Sequence, residues 1–194
     1  TYAQCWQKVN QGGGHTIALK TDGTLWSCGY GNYGALGIGG NVNQNSLTQI
    51  GTSADWAKFA NNGDSTFAIK TDGTLWAWGR NHKAQLGDGT YNDKYLPIQI
   101  SAATNWQNIE SNGWTTFAQK TDGSLWIWGD DNYGQVGNGP AFSAFPTQIG
   151  LAGEWLEFKG GGNTTLAIKS NGTLWAWGLN NKGQLGDGTL INKN

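Results

Sequence analysis

Bulky apolar residues recur along this chain in short runs broken by turn residues. The run Phe67-Ala68-Ile69-Lys70 ends in Thr71-Asp72-Gly73-Thr74 and resumes as Leu75-Trp76-Ala77-Trp78-Gly79. An Asp-Gly between two such runs predicts a hairpin, because both residues tolerate positive φ. Within the second run Leu75 and Ala77 alternate with Trp76 and Trp78, so the two faces of that strand carry side chains of different size. The bulky face needs a neighbouring sheet to cover it. Leu96-Pro97-Ile98-Gln99-Ile100 reads as a further strand, which its proline confines to an edge or a strand start. Trp106 to Ile109 reads as another, and no segment carries a helical period.

The same pattern returns along the whole chain. DGTLW begins at Asp22 and Asp72, DGSLW at Asp122 and NGTLW at Asn171, at spacings of 50, 50 and 49 residues. A lone Trp precedes each block at Trp6, Trp56, Trp106 and Trp155, again spaced 50, 50 and 49. NYGALG, HKAQLGDG, NYGQVGNG and NKGQLGDG follow in the same register. The chain therefore reads as one domain of four repeats, approximately residues 1–50, 51–100, 101–149 and 150–194. The last is cut short, since Gly188 to Lys193 aligns with Gly89 to Lys94 and nothing matches the strand at Pro97 to Ile100. Four short antiparallel strands per period predict an all-β fold of β-propeller blades.

Ala68-x-Lys70-x-Asp72-Gly73-x-Leu75-Trp76-x-Trp78-Gly79, followed by Gln85-Leu86-Gly87-Asp88-Gly89-Thr90, resembles the regulator of chromosome condensation repeat family. The resemblance covers essentially the whole chain, and the DGTLWAWG form is most similar to the family's bacterial branch. Such proteins usually close a ring of seven blades. Four repeats then imply a segment of a larger propeller, or an open array that completes itself by association through unpaired blade edges. The family includes a nucleotide exchange factor for a small nuclear GTPase and a secreted bacterial inhibitor of β-lactamase. The resemblance thus implies a protein-binding scaffold, and its inhibitor-like repeat style implies a secreted or cell-surface location. No residue here matches that inhibitor's target-contacting set.

Composition narrows the classes further. With 32 Gly beside 12 Trp but only 3 Pro, the chain is neither collagen-like nor disordered. Twelve basic groups against 13 acidic ones leave a net charge of −1 and no basic cluster for nucleic acid. No apolar run is long enough for membrane insertion. A first residue of Thr1 rather than Met is read as the mark of a processed or trimmed chain. Cys5 and Cys28 cannot make a four-ligand zinc site, and whether they are bridged is left open. Cys28 stands where other repeats carry Trp, and is expected to be a small buried hydrophobe.

Candidate chemistry is sparse. His15 aligns with Ser65, Thr115 and Thr164, where a small hydrogen-bonding group suffices, and His82 lies in an exposed turn. No nucleophile has a recognisable base motif, so no catalytic residue and no cofactor are expected. Asp22, Asp72 and Asp122 are read as turn caps, a role Asn171 takes in the fourth repeat. Asp88 and Asp187 lie in calcium-like GDGT loops that lack the alternating oxygen ligands, so no metal is expected. Positions that vary between repeats are the better lead. The residue after the Trp strand is Tyr30, Arg80, Asp130 or Leu179, with Tyr33, His82, Lys83 and Tyr133 close by. Longer connections add Tyr91, Tyr95, Phe142 and Phe145. Tyr, Trp and Arg are the types that dominate binding hot spots. Eleven of the 12 tryptophans occupy repeat positions, which leaves Trp114, opposite Gly14, Asp64 and Asn163, as the sharpest candidate. The expectation is a non-enzymatic scaffold that presents variable rim loops to a protein, with carbohydrate binding by a surface or secreted module as the alternative.

Overall fold

In a computed structural model, which describes residues 5–137 and 143–194, each Asp-Gly turn closes a hairpin through the same three-residue relay. Asp72 Oδ1 accepts from the Thr74 amide at 2.9 Å and from its hydroxyl at 2.7 Å. Thr74 Oγ1 in turn accepts from Trp76 Nε1 at 2.9 Å. Asp22-Thr24-Trp26, Asp122-Ser124-Trp126 and Asn171-Thr173-Trp175 repeat these bonds. The aspartates are therefore turn caps, and an amide oxygen serves as well as a carboxylate. Gly73 lies at φ +78°, and a Cβ on it would fall 2.1 Å from Thr104 O of the following repeat. Only glycine fits this approach.

The hairpins build four antiparallel sheets. The first runs β1 (Trp6–Gln11), β2 (His15–Lys20), β3 (Leu25–Gly29) and β4 (Gln44–Gln49), in that order. The second runs β5 (Trp56–Asn62), β6 (Ser65–Lys70), β7 (Leu75–Gly79) and β8 (Lys94–Gln99). The third comprises β9 (Trp106–Ser111), β10 (Thr115–Lys120), β11 (Leu125–Gly129) and β12 (Ser143–Ile149). The fourth has β13 (Trp155–Gly161), β14 (Thr164–Lys169) and β15 (Leu174–Gly178), with only a bridge from Gly178 to Lys193 where the second sheet pairs Gly79 with Lys94 at the start of β8. Pro97 lies on the edge strand β8, the position its missing N–H requires. A 3-10 turn at Asn32–Gly34 is the one helical element among the described residues.

Each sheet is a blade, and the core lies between blades. Ile17, Leu19, Leu25 and Ile50 of the first pack against Trp56, Phe59, Ala68 and Trp78 of the second. The same arrangement recurs at the next two interfaces. The strands that begin each blade lie nearest one another and are tied by lysines: Lys8 Nζ donates to Phe59 O at 3.0 Å, and Lys58 Nζ to Gln107 O at 2.7 Å.

At the turn end, a lysine ammonium sits over two edge-to-face indoles. Lys70 lies 4.9 Å from the Trp56 ring and 4.8 Å from Trp76. Lys20, Lys120 and Lys169 repeat the arrangement, which accounts for eight of the tryptophans. Cys5 and Cys28 are unbridged. Cys28 is half-buried rather than fully buried.

Candidate functional site

At the blade ends opposite the Asp-Gly turns, two sets of variable positions meet. In every blade the residue after the Trp strand donates its backbone N–H to the residue before the second strand. Tyr30 bonds Gly14 at 2.9 Å, Arg80 bonds Asp64 at 2.9 Å, Asp130 bonds Trp114 at 2.8 Å and Leu179 bonds Asn163 at 2.9 Å. The side chains vary as matched neighbours. Arg80 pairs with Asp64 at 3.3 Å, whereas Gly14 lies close against Tyr30, whose Cβ a Cβ on Gly14 would meet at 3.1 Å.

A second set of contacts crosses from blade to blade. The Arg80 guanidinium lies 4.5 Å above the ring of Tyr33, itself held at φ +60°. Lys83 Nζ lies 3.3 Å from Asp130 Oδ1 of the next blade. His82 meets the Trp114 indole edge-on at 5.7 Å, and Lys83 Nζ is also 5.7 Å from that ring. Partial burial first, then the positive charges of Arg80 and Lys83, hold His82 below its ordinary pKa, so it is a neutral ring at pH 7. Trp114 remains 46% exposed, supported on one side and open on the other.

The candidate residues thus fall into different classes. Trp114, His82, Arg80 and Tyr33 form a contiguous group spanning three blades. Tyr30 lies 36% exposed at its first-blade end. Asp130 departs from the sequence expectation: it is 1% exposed, and its carboxylate accepts from Asn132 Nδ2 at 2.8 Å and Gln135 Nε2 at 3.1 Å as well as facing Lys83. It anchors the loop and offers no free oxygen to a partner. Tyr133 is exposed with its amide bonded to Gln135 Oε1. Tyr91 and Tyr95 are exposed beside and on the edge strand β8, whose backbone at Lys94 and Tyr95 lies against Gly34, the neighbour of Tyr33. Phe142 lies outside the described residues, while Phe145 is exposed on β12.

The structure also adds residues. Tyr30 forms one wall of an open cavity of about 700 Å³ with Gly14, Asn43, Gln44, Asn45 and Asp64. The amide run Asn43-Gln44-Asn45 was the available signal, but nothing in its spacing placed it against Tyr30. The GDGT loops have an internal explanation. Asn81 Nδ2 donates to Asp88 Oδ1, Thr90 O and Asn92 O, and Lys94 Nζ pairs with Asp88 at 2.9 Å. Asn180, Asp187 and Lys193 repeat it. In each of these loops a lysine ammonium faces the aspartate. Among the described residues no group of three or more His, Cys, Asp or Glu side chains is placed to hold a metal. No helix among them is long and apolar enough to cross a membrane.

Comparison with known proteins bears on the same features. A family model of the regulator of chromosome condensation (RCC1) repeat matches residues 22–69, 72–118 and 122–168, and a second RCC1 repeat model matches 6–35 and 158–184. Human WBSCR16 superimposes with a TM-score of 0.82 at 26% identity, over 99% of this chain and 52% of that one. Yeast RCC1 (Prp20), solved bound to Kap60, gives 0.79 at 21% identity over 97% of this chain and 48% of its own. Prp20p from Saccharomyces cerevisiae, described with its binding to Gsp1p and histones, gives 0.83 at 18% identity over 100% and 50%. The chain spans about half the length of these solved relatives. Comparison with curated protein sequences yields no match.

Proposed function

The chain belongs to the regulator of chromosome condensation (RCC1) repeat family, and from that premise we propose that it is a non-enzymatic scaffold whose variable rim binds a protein partner. The observation that carries this reading is Trp114. It is a large, exposed indole at a position the repeat fills with Gly, Asp or Asn, and His82 and Lys83 of the neighbouring blade fix its orientation. A rigid aromatic anchor buries much apolar area for little loss of side-chain freedom. Lys83 supplies a cation beside it, and Arg80, stacked on Tyr33, a positioned one on the same rim. The binding of Kap60, Gsp1p and histones by yeast relatives supports a protein as the class of ligand. A secreted or cell-surface location belongs to the same reading, and fractionation of the source cells tests it.

The decisive measurement is affinity capture from source material, followed by titration of the captured protein. Binding should fall by more than about tenfold in Trp114→Ala and remain unchanged in Leu151→Ala, an exposed residue at the Asp-Gly end of the blades. Equal affinity of both variants would sink the proposal. One observation favours carbohydrate as a second reading: the Tyr30 cavity combines an aromatic face with three amide side chains. Glycan-array signal that disappears in Tyr30→Ala but survives in Trp114→Ala would put that reading first.

A further inference from the structure

The last strands of the four-stranded blades are sheet edges, and they are not protected alike. β4, β8 and β12 each pair with one strand of their own sheet and leave the other side open. Trp26 pairs with Gln49, Trp76 with Gln99 and Trp126 with Gln148, so Leu47, Pro97 and Pro146 share one register position. The Ile50 and Ile100 amides bond inward, to Leu25 O and Leu75 O. Backbone groups alternate in direction along an antiparallel strand, so those of Asn45, Leu47 and Gln49 point outward. Pro97 and Pro146 delete an outward N–H, which protects an edge from pairing with another chain. β4 keeps that N–H at Leu47, which is 40% exposed. Its residues Gln44–Gln49 include neither a proline nor a charged side chain.

Neighbouring blades do not use this half of an edge. A preceding blade bonds to the backbone of β8 and β12 at a single carbonyl: Gly39 N donates to Tyr95 O and Gly89 N to Ala144 O, both at 2.9 Å. The β4 counterpart of those carbonyls is Asn45 O. Past that point, no backbone group of β8 or β12 bonds to the backbone of another blade among the described residues. Leu47 and Gln49 lie past it, with their outward N–H and C=O groups unpaired among the described residues.

We propose that β4 is the edge by which two copies of this chain pair, antiparallel and two-fold symmetric about Thr48. In that register Leu47 of each copy lies opposite Gln49 of the other. Each such pair exchanges two backbone hydrogen bonds, four in all. Thr48 meets Thr48 at the axis, a favourable cross-strand pair, and no like charges face each other. A two-fold contact uses the same patch on both copies and closes on itself. Prolines bar β8 and β12, so these three edges give a dimer rather than a fibre. The edge takes no residue from the Trp114 group.

Sedimentation over a concentration series tests this. The unsubstituted chain should form a reversible dimer. Leu47→Pro removes two of the four bonds and should weaken the dimer by about tenfold or more. Pro97 and Pro146 show that a blade accepts proline at this register. Should Leu47→Pro nevertheless fail to fold, Thr48→Lys leaves the backbone intact and sets two ammonium groups face to face. It should weaken the dimer by roughly threefold or more. Amide exchange at Leu47 and Gln49 should slow as the protein concentration rises. A chain that stays monomeric throughout overturns the proposal. So does a dimer indifferent to the folded variant, or one that leaves those two amides unprotected. Slowed exchange at Leu47 and Gln49 in a monomeric chain mixed with another protein would give the edge to a foreign strand, and equally overturns it.

Discussion

The two ends of each blade are made of the same backbone and are used in opposite ways. At the Asp-Gly end, all four repeats carry the same relay of acid or amide, hydroxyl and indole, beneath a lysine seated over two tryptophans. At the rim end the residue after the Trp strand differs in every repeat, as Tyr30, Arg80, Asp130 or Leu179. Arg80 stacks on Tyr33, Lys83 meets Asp130, and His82 supports Trp114. Uniform residues do local work within a repeat, because the same turn must be made each time. Varying residues do two kinds of work at the rim. Some, such as Asp130, are matched to a neighbour and sealed, while Trp114 is matched on one side and open on the other.

Substitutions can separate these roles, beginning with the packing between blades. Trp78→Ala removes a fully buried indole and its bond to Ala35 O, and should cost about 3–5 kcal/mol, read from the urea midpoint. A comparable loss by Trp114→Ala would dissolve the distinction between framework and rim.

His15 carries the next largest effect. It is 1% exposed, with Nε2 3.0 Å from Thr66 Oγ1, and burial lowers its pKa from 6.5 to about 4 despite the opposing pull of Asp64. The unfolded chain therefore takes up a proton that the folded one refuses. Stability should fall as the pH drops from about 6.5 towards about 4 and level off below, by a total on the order of 3 kcal/mol. Urea titrations across that window measure it, and His15→Thr, the residue of the third and fourth repeats, should flatten the dependence. An unchanged slope in that variant would assign the acid sensitivity elsewhere.

Smaller effects belong to the turn relay and the rim. Thr74→Val breaks the link between Asp72 and the Trp76 indole and should cost about 1 kcal/mol. The shift should be alike at Thr24, which would mark the relay as a repeated local device. Trp114→Ala should leave the urea midpoint within about 0.5 kcal/mol of the unsubstituted chain while weakening partner binding by more than about tenfold. A stability cost above 1 kcal/mol would instead make Trp114 a packing residue.

Much of this was legible in the residues. The hairpins, their register and the four-fold repeat follow from Asp-Gly turns and period-two alternation, which act over a few neighbouring positions. That Asn171 can replace aspartate already pointed to a turn cap, and the Asn171–Thr173 bonds bear it out. Asp130 was misjudged for a physical reason: an acid in a loop after a strand looks free until Lys83, Asn132 and Gln135 are folded around it. The pairing of the amide run at Asn43 with Tyr30 was hidden for the same reason.

What the sequence alone determined, then, is the blade: strands, turns and the eight tryptophans beneath the lysines, because each is set by contacts within one period. Which rim residues pair and which remain open were decided by the tertiary structure. Those contacts join side chains roughly one repeat apart, and a rim side chain's exposure depends on its partner in the next blade as much as on its own chemistry.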